Sequence, residues 1–216
     1  PSGNPQTTRK MKFDELRSLV PPGGIFRTGH LLAGQGDALG VRRQLDRWVK
    51  SGRVRQLRRG VYQMQSIAGV ESAHPFMLAN RLSKGSYVSL HSILSHAGMI
   101  PEYVPVTTSI TTARPEVVDT PAGRFQFRHV AKLLFWGFEE REVASGQFAL
   151  MATPYKALMD LLYLTPRSDD SAWLRELRCE PPDGYEPDVL TETAQRMGSA
   201  KVLRAVDGLK KIWDQS

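Results

Sequence analysis

Asp37-Ala38-Leu39-Gly40-Val41-Arg42-Arg43-Gln44-Leu45-Asp46-Arg47-Trp48-Val49-Lys50-Ser51-Gly52, continued by Arg53-Val54-Arg55-Gln56-Leu57-Arg58-Arg59-Gly60-Val61-Tyr62, is the stretch from which the fold is read. Ala38, Val41, Leu45, Trp48 and Val49 recur at three- and four-residue steps, the spacing of one buried helix face. Arg42, Arg43, Arg47 and Lys50 are left on the other face. Gly52 ends the helix, because glycine takes a left-handed C-cap without a Cβ penalty. Beyond it the period shortens to two. Val54 and Leu57 lean one way, Arg55, Arg58 and Arg59 surround a turn at Gly60, and Val61-Tyr62 return. A helix with one cationic face, running directly into a cationic hairpin, has the shape of a winged helix-turn-helix.

The location of the charge agrees. From Asp37 to Gly60 there are eight basic residues (Arg42, Arg43, Arg47, Lys50, Arg53, Arg55, Arg58, Arg59) and two acidic ones (Asp37, Asp46). That local excess of six is nearly the whole chain's net charge of +7. Concentrated positive charge of this kind is the footprint of a phosphate-binding surface. The plainer meaning of a charge run is a solvated face, but acidic i,i+4 partners are scarce here and self-pairing would neutralise little of the excess.

Upstream, Phe13 to Val20 reads as a short amphipathic helix stopped by Pro21-Pro22-Gly23-Gly24. Thr28 is a candidate N-cap for a second helix anchored by Leu31 and Leu32. Gly34-Gln35-Gly36 makes a tight turn, and the Asp37 carboxylate suits the positive end of the third helix. In this order the third helix lies in the major groove. Leu39, Gly40, Arg42 and Arg43 are then the base readers, with Arg43 the best bidentate partner for a guanine. Arg47 and Lys50 fall on phosphate, and Arg55, Arg58 and Arg59 on the backbone or the adjacent minor groove. The glycines at 34, 36 and 40 have the wrong spacing for a dinucleotide-binding loop, and no strand precedes them.

The 216 residues suit one large domain or two small ones. A division into 11–66, a winged helix-turn-helix, and 72–216, an α+β domain, is expected, with Gln65 to Ser72 as linker. The second region predicts helices over 74–84, 89–98, 153–163, 171–178, 187–197 and 200–213. Ser89 is the expected cap of the second of these and Thr153-Pro154 the start of the third. Strands at 104–112, 124–130, 133–138 and 148–151 predict a small, mostly antiparallel sheet packed by helices. The fold class is therefore α+β. Cys179 is the single cysteine, so no internal disulfide forms and a reducing compartment is the simplest setting. No apolar run of about 18 residues is present, and a cytoplasmic protein with a frayed N-terminus and no membrane contact is expected.

Little points to catalysis. Cys179 lacks a flanking signature, and Ser92 sits in a helix rather than on a strained elbow. His91 and His96 are five apart, on different helix faces, with no acidic or cysteine partner beside them. No enzyme, metal or cofactor is expected. The alternatives are a stand-alone regulator whose second domain dimerises or senses a ligand, and a DNA-cleaving module that holds metal with carboxylates. Asp119, Glu139, Glu140 and Glu142 are scattered for the latter role.

The hairpin ends Arg59-Gly60-Val61-Tyr62. Tyr87-Val88-Ser89-Leu90-x-Ser92-x-Leu94-Ser95-x-x-Gly98-x-Ile100 follows, then Thr111 with Arg114 and Gly123-x-Phe125-x-x-x-His129-Val130. The last block is Ala152-Thr153-Pro154-x-Lys156-Ala157-Leu158-x-Asp160-Leu161-Leu162-Tyr163. Together these blocks resemble AbiEi-type antitoxins, regulators of abortive-infection toxin–antitoxin loci, from about Phe13 to Tyr163. The resemblance implies an N-terminal winged helix-turn-helix that represses its own operon through inverted repeats in double-stranded DNA, as a possible homodimer. It also implies a C-terminal domain that neutralises a nucleotidyltransferase-like toxin. Tyr155 and His91 stand where the family commonly carries an acid. Lys156 and Asp160 match it and are the candidate toxin contacts, or else an i,i+4 surface pair.

Overall fold

The computed structural model describes residues 11–32, 38–65 and 72–215. The chain divides into two compact units. The first holds the described residues up to His74, with Thr120–Ala122 and Ala144–Gln147; the second holds Pro75–Asp119, Gly123–Val143 and the chain from Phe148 onward.

The first unit contains α1 (Phe13–Leu19), β1 (Ile25–Arg27), α2 (Thr28–Leu32), α3 (Ala38–Lys50), β2 (Val54–Arg58) and β3 (Val61–Met64). Its strands form a three-stranded sheet in the order β1-β3-β2, antiparallel throughout. The apolar stripe expected of α3 is the one buried: Val41, Leu45 and Trp48 join Leu16, Phe26, Leu31 and Val54 in one core. Phe13 meets Trp48 edge to face and Phe26 stacks on Tyr62. The helix stops in a Schellman arrangement, with Arg53 N–H donating to the Trp48 carbonyl and Gly52 N–H to that of Val49. Gly52 supplies the left-handed φ of 70° that this ending needs.

Val54 and Leu57 are three residues apart, yet both are buried. Strict alternation would put them on opposite faces. The register with β3 shifts between Gln56 and Arg58, and this bulge turns Leu57 back to the core side. Strand β1, pairing Ile25–Arg27 with Val61–Gln63, was not expected from sequence; three residues are too few to show a period. Its last residue is followed immediately by α2, which begins at Thr28. The turn at 34–36, the Asp37 cap and most of the linker (66–71) lie outside the described residues.

The second unit carries α4 (Pro75–Leu82), β4 (Ser86–Val88), α5 (His91–His96), β5 (Val106–Thr111), β6 (Glu116–Thr120), β7 (Gly123–His129), β8 (Phe138–Ala144) and β9 (Gln147–Ala152). Then come α6 (Pro154–Leu164), α7 (Ser171–Glu176), α8 (Pro187–Arg196) and α9 (Ala200–Trp213). The strands make a six-stranded sheet in the order β6-β7-β5-β4-β9-β8. β4 pairs antiparallel with β5, whereas β5 with β7 and β4 with β9 are parallel. The sheet is thus larger and more mixed than the small, mostly antiparallel one expected.

Two local expectations are corrected. The apolar run at 133–138 is not a strand. Lys132–Leu134 is a short 3-10 turn with Leu133 87% exposed, and the strand begins only at Phe138. Ser89 does not cap α5; Leu90 holds that position at φ 59°, and the Ser89 hydroxyl donates elsewhere. The region from 187 to 213 fares better, since α8 and α9 fall within the expected helices 187–197 and 200–213. Among the described residues no helix is long and apolar enough to cross a membrane.

Candidate nucleic-acid interface

The outward face of α3 is built by the same period that buries its inner one. At about 100° per residue, Leu39, Arg43, Asp46 and Lys50 fall on one stripe, flanked by Arg42 and Arg47. All six are exposed. Arg47 is steadied by its own helix, its Nε donating to the Arg43 carbonyl at 3.4 Å. Among the described residues, ion pairs join Arg124 to Asp119, Arg141 to Glu139, Lys156 to Asp160, Arg178 to Glu102 and Arg204 to Asp169. None of these engages Arg42, Arg43, Arg47 or Lys50, so their charge is presented to solvent. Asp46, which sequence reasoning counted but did not place, lies amid them on that face.

On the hairpin, Arg59 is exposed, while Arg55 and Arg58 are half-buried. Arg55 Nη2 donates to Gln65 Oε1 at 3.3 Å, which holds its guanidinium along the sheet. Arg53 lies over the Phe13 ring, 5.4 Å from its centre. Thr28 is half-buried and its backbone N–H donates to the Gly60 carbonyl, tying the start of α2 to the hairpin turn. Gly40, also expected to read bases, is half-buried between the exposed Leu39 and the buried Val41.

Lys156 and Asp160 are placed very differently from the surface pair considered above. Both side chains are 0% exposed, and the two form a direct ion pair within α6. Asp160 Oδ2 accepts from the Tyr87 hydroxyl at 3.0 Å and from Ser89 Oγ at 2.8 Å; Lys156 Nζ also donates to the Tyr87 oxygen at 3.0 Å. The ammonium faces the Tyr87 and Trp136 rings, and the Arg196 guanidinium also lies over Trp136, 4.0 Å from its centre. Phe138 stacks on Tyr87, and Phe135 closes against both. Gly137 completes the enclosure: at its φ of 72° an added Cβ would come within 2.9 Å of the Lys156 stem. Burial pushes the lysine below and the carboxyl above their ordinary values, and the pairing opposes both shifts. Burial and the neighbouring carboxylate push Tyr87 far above the phenol range. The tyrosine therefore stays a neutral donor. As folded, neither Lys156 nor Asp160 offers an atom to another protein.

The two positions at variance with the family pattern are also placed. The Tyr155 hydroxyl accepts from the Glu186 backbone N–H at 2.7 Å, at the start of α8. His91 is half-buried at the start of α5, where desolvation lowers its pKa. Among the described residues no group of three or more His, Cys, Asp or Glu is placed to hold a metal ion.

Residues 22–65, the span from the stop after α1 to the end of the hairpin, match the family model described as "Transcriptional regulator, AbiEi antitoxin". This segment is therefore similar to AbiEi-type regulators. The match takes in α3, the hairpin and every candidate DNA-contacting residue. No curated protein matches the chain. A crystal structure of the RV2827C protein from Mycobacterium tuberculosis is similar at 14% identity and TM-score 0.45, covering 88% of this chain and 76% of that one.

Proposed function

We propose that the chain is a sequence-specific, double-stranded-DNA-binding repressor of the AbiEi antitoxin type. Residues 11–66 act as a winged helix-turn-helix, with α3 in the major groove and the β2–β3 turn as the wing. The supporting observation is the α3 face: exposed arginines and a lysine without acid partners among the described residues, in the segment that matches the family model. Arg42 and Arg43 sit one to two turns from the start of the helix, where recognition helices contact base edges. Arg47 and Lys50 lie farther along and meet phosphate. Arg58 and Arg59 grip the backbone beside the groove, while Thr28 fixes the wing turn relative to α2.

The remaining residues, 72–216, form the antitoxin domain. Its partner is a nucleotidyltransferase-like toxin, and the protein represses its own operon as a homodimer on inverted repeats in the cytoplasm. No chemistry by this chain is required.

Two measurements follow. Replacing Arg58 and Arg59 together with alanine removes two phosphate contacts, so binding to all duplexes weakens. The slope of log K against log salt should flatten by roughly two; an unchanged slope would take the wing off the phosphates. Co-expression of the full chain with a nucleotidyltransferase-like protein encoded beside it should relieve that protein's growth arrest. Continued arrest with the chain folded and abundant would leave a DNA-binding regulator without an antitoxin role.

A further inference from the structure

The outward stripe of α3 is not wholly charged. Leu39 is 62% exposed, one helical turn before Arg43 on the same face. Val41, Leu45 and Trp48 are buried in the core and Val49 packs against it. Leu39 lies outside that core, and its isobutyl group is mostly exposed, with Arg42 and Arg43 one helical turn on. A phosphate gains nothing from such a group. In the major groove, however, one base presents an apolar partner, the C5 methyl of thymine.

We propose that Leu39 is a specificity-determining residue that recognises a thymine through its methyl group. The spacing says where. Leu39 and Arg43 are separated by four residues, about 6 Å along the axis, and successive base pairs rise about 3.4 Å. The thymine thus lies within about two base pairs of the guanine held by Arg43. This inference rests on the DNA-binding reading above and adds a base to it. A leucine packed on the methyl excludes water there, which an exposed arginine could not do.

The experiment begins with duplexes selected from a random pool by the full-length protein. Selected sites should carry a thymine within about two base pairs of a guanine. Exchanging that thymine for uracil removes one methyl group and no hydrogen-bonding group. Wild-type binding should weaken about fourfold, the worth of one buried methyl. Leu39→Ala should bind the thymine site more weakly than wild type and be indifferent to the exchange. Because Leu39 is exposed, the variant's urea midpoint should match wild type, which separates a recognition effect from unfolding. Specific binding that ignores uracil at every thymine of the site would overturn this inference and leave the repressor reading standing. An equal response to uracil in wild type and Leu39→Ala would overturn it as well. Failure of the wild-type protein to select any sequence would remove both.

Discussion

Asp160→Ala is expected to destabilise the protein by about 3–5 kcal/mol, the effect of leaving one member of a buried pair uncompensated. The carboxylate in its enclosed site accepts from Lys156, Tyr87 and Ser89. Its removal strands the ammonium between aromatic rings and leaves two hydroxyls without their acceptor. The loss is a property of an unbalanced site rather than of polarity there as such. Replacing both partners with apolar residues, Lys156→Met with Asp160→Leu, should therefore recover the part due to the stranded ammonium, while the Tyr87 and Ser89 hydroxyls stay without their acceptor. Urea unfolding followed by tryptophan fluorescence measures both. A cost below about 1 kcal/mol for Asp160→Ala would match an exposed pair and contradict the burial described here.

The second large effect is expected at Arg43. Its guanidinium can hold the O6 and N7 of one guanine in a two-pronged contact, worth about 1–3 kcal/mol of discrimination. Arg43→Ala should thus weaken binding to a selected site by roughly 5- to 150-fold, with a much smaller change on random duplex. Arg43→Lys makes the argument sharper. It keeps the charge and so most of the phosphate attraction, but an ammonium lacks the planar fork. Fluorescence anisotropy on selected and random duplexes should show Arg43→Lys with near-normal non-specific affinity and reduced preference. Equal losses on both duplexes would move Arg43 from the bases to the backbone.

How much of this was legible beforehand depended on the length and exposure of each element. The α3 helix and the β2–β3 hairpin are long enough to show their periods, 3.6 and then 2, and the charged face followed from the buried one. The start of α6 was equally readable: Thr153 precedes Pro154, and the Thr153 side chain accepts from the Lys156 N–H. Strands β1 and β4 have three residues each and show no alternation. Strand β8, FEEREVA, is charged because it is an edge strand; edges are protected by charge rather than buried by alternation.

The Lys156–Asp160 pair illustrates a different limit. Four apart on a helix, the two residues look like surface neighbours. What buries them is Tyr87 and Ser89, 69 to 73 positions away in sequence. A signal was nevertheless present locally. Ala157, Leu158, Met159, Leu161 and Leu162 leave α6 almost no solvent-facing side, and a helix apolar nearly all round is a buried one. The ion pair therefore had to go inside with its neighbours. As a group meant for a partner's surface it is badly placed; as a polar anchor between α6 and β4 it is well supported.

The most direct test of the central claim is a footprint of the full-length protein on the DNA upstream of its own gene, run at several salt concentrations beside Arg43→Ala. Protection of an inverted repeat, weakening as salt rises and lost or blurred in the variant, is the predicted result. Uniform binding with no protected sequence, or no binding at any salt, would contradict it.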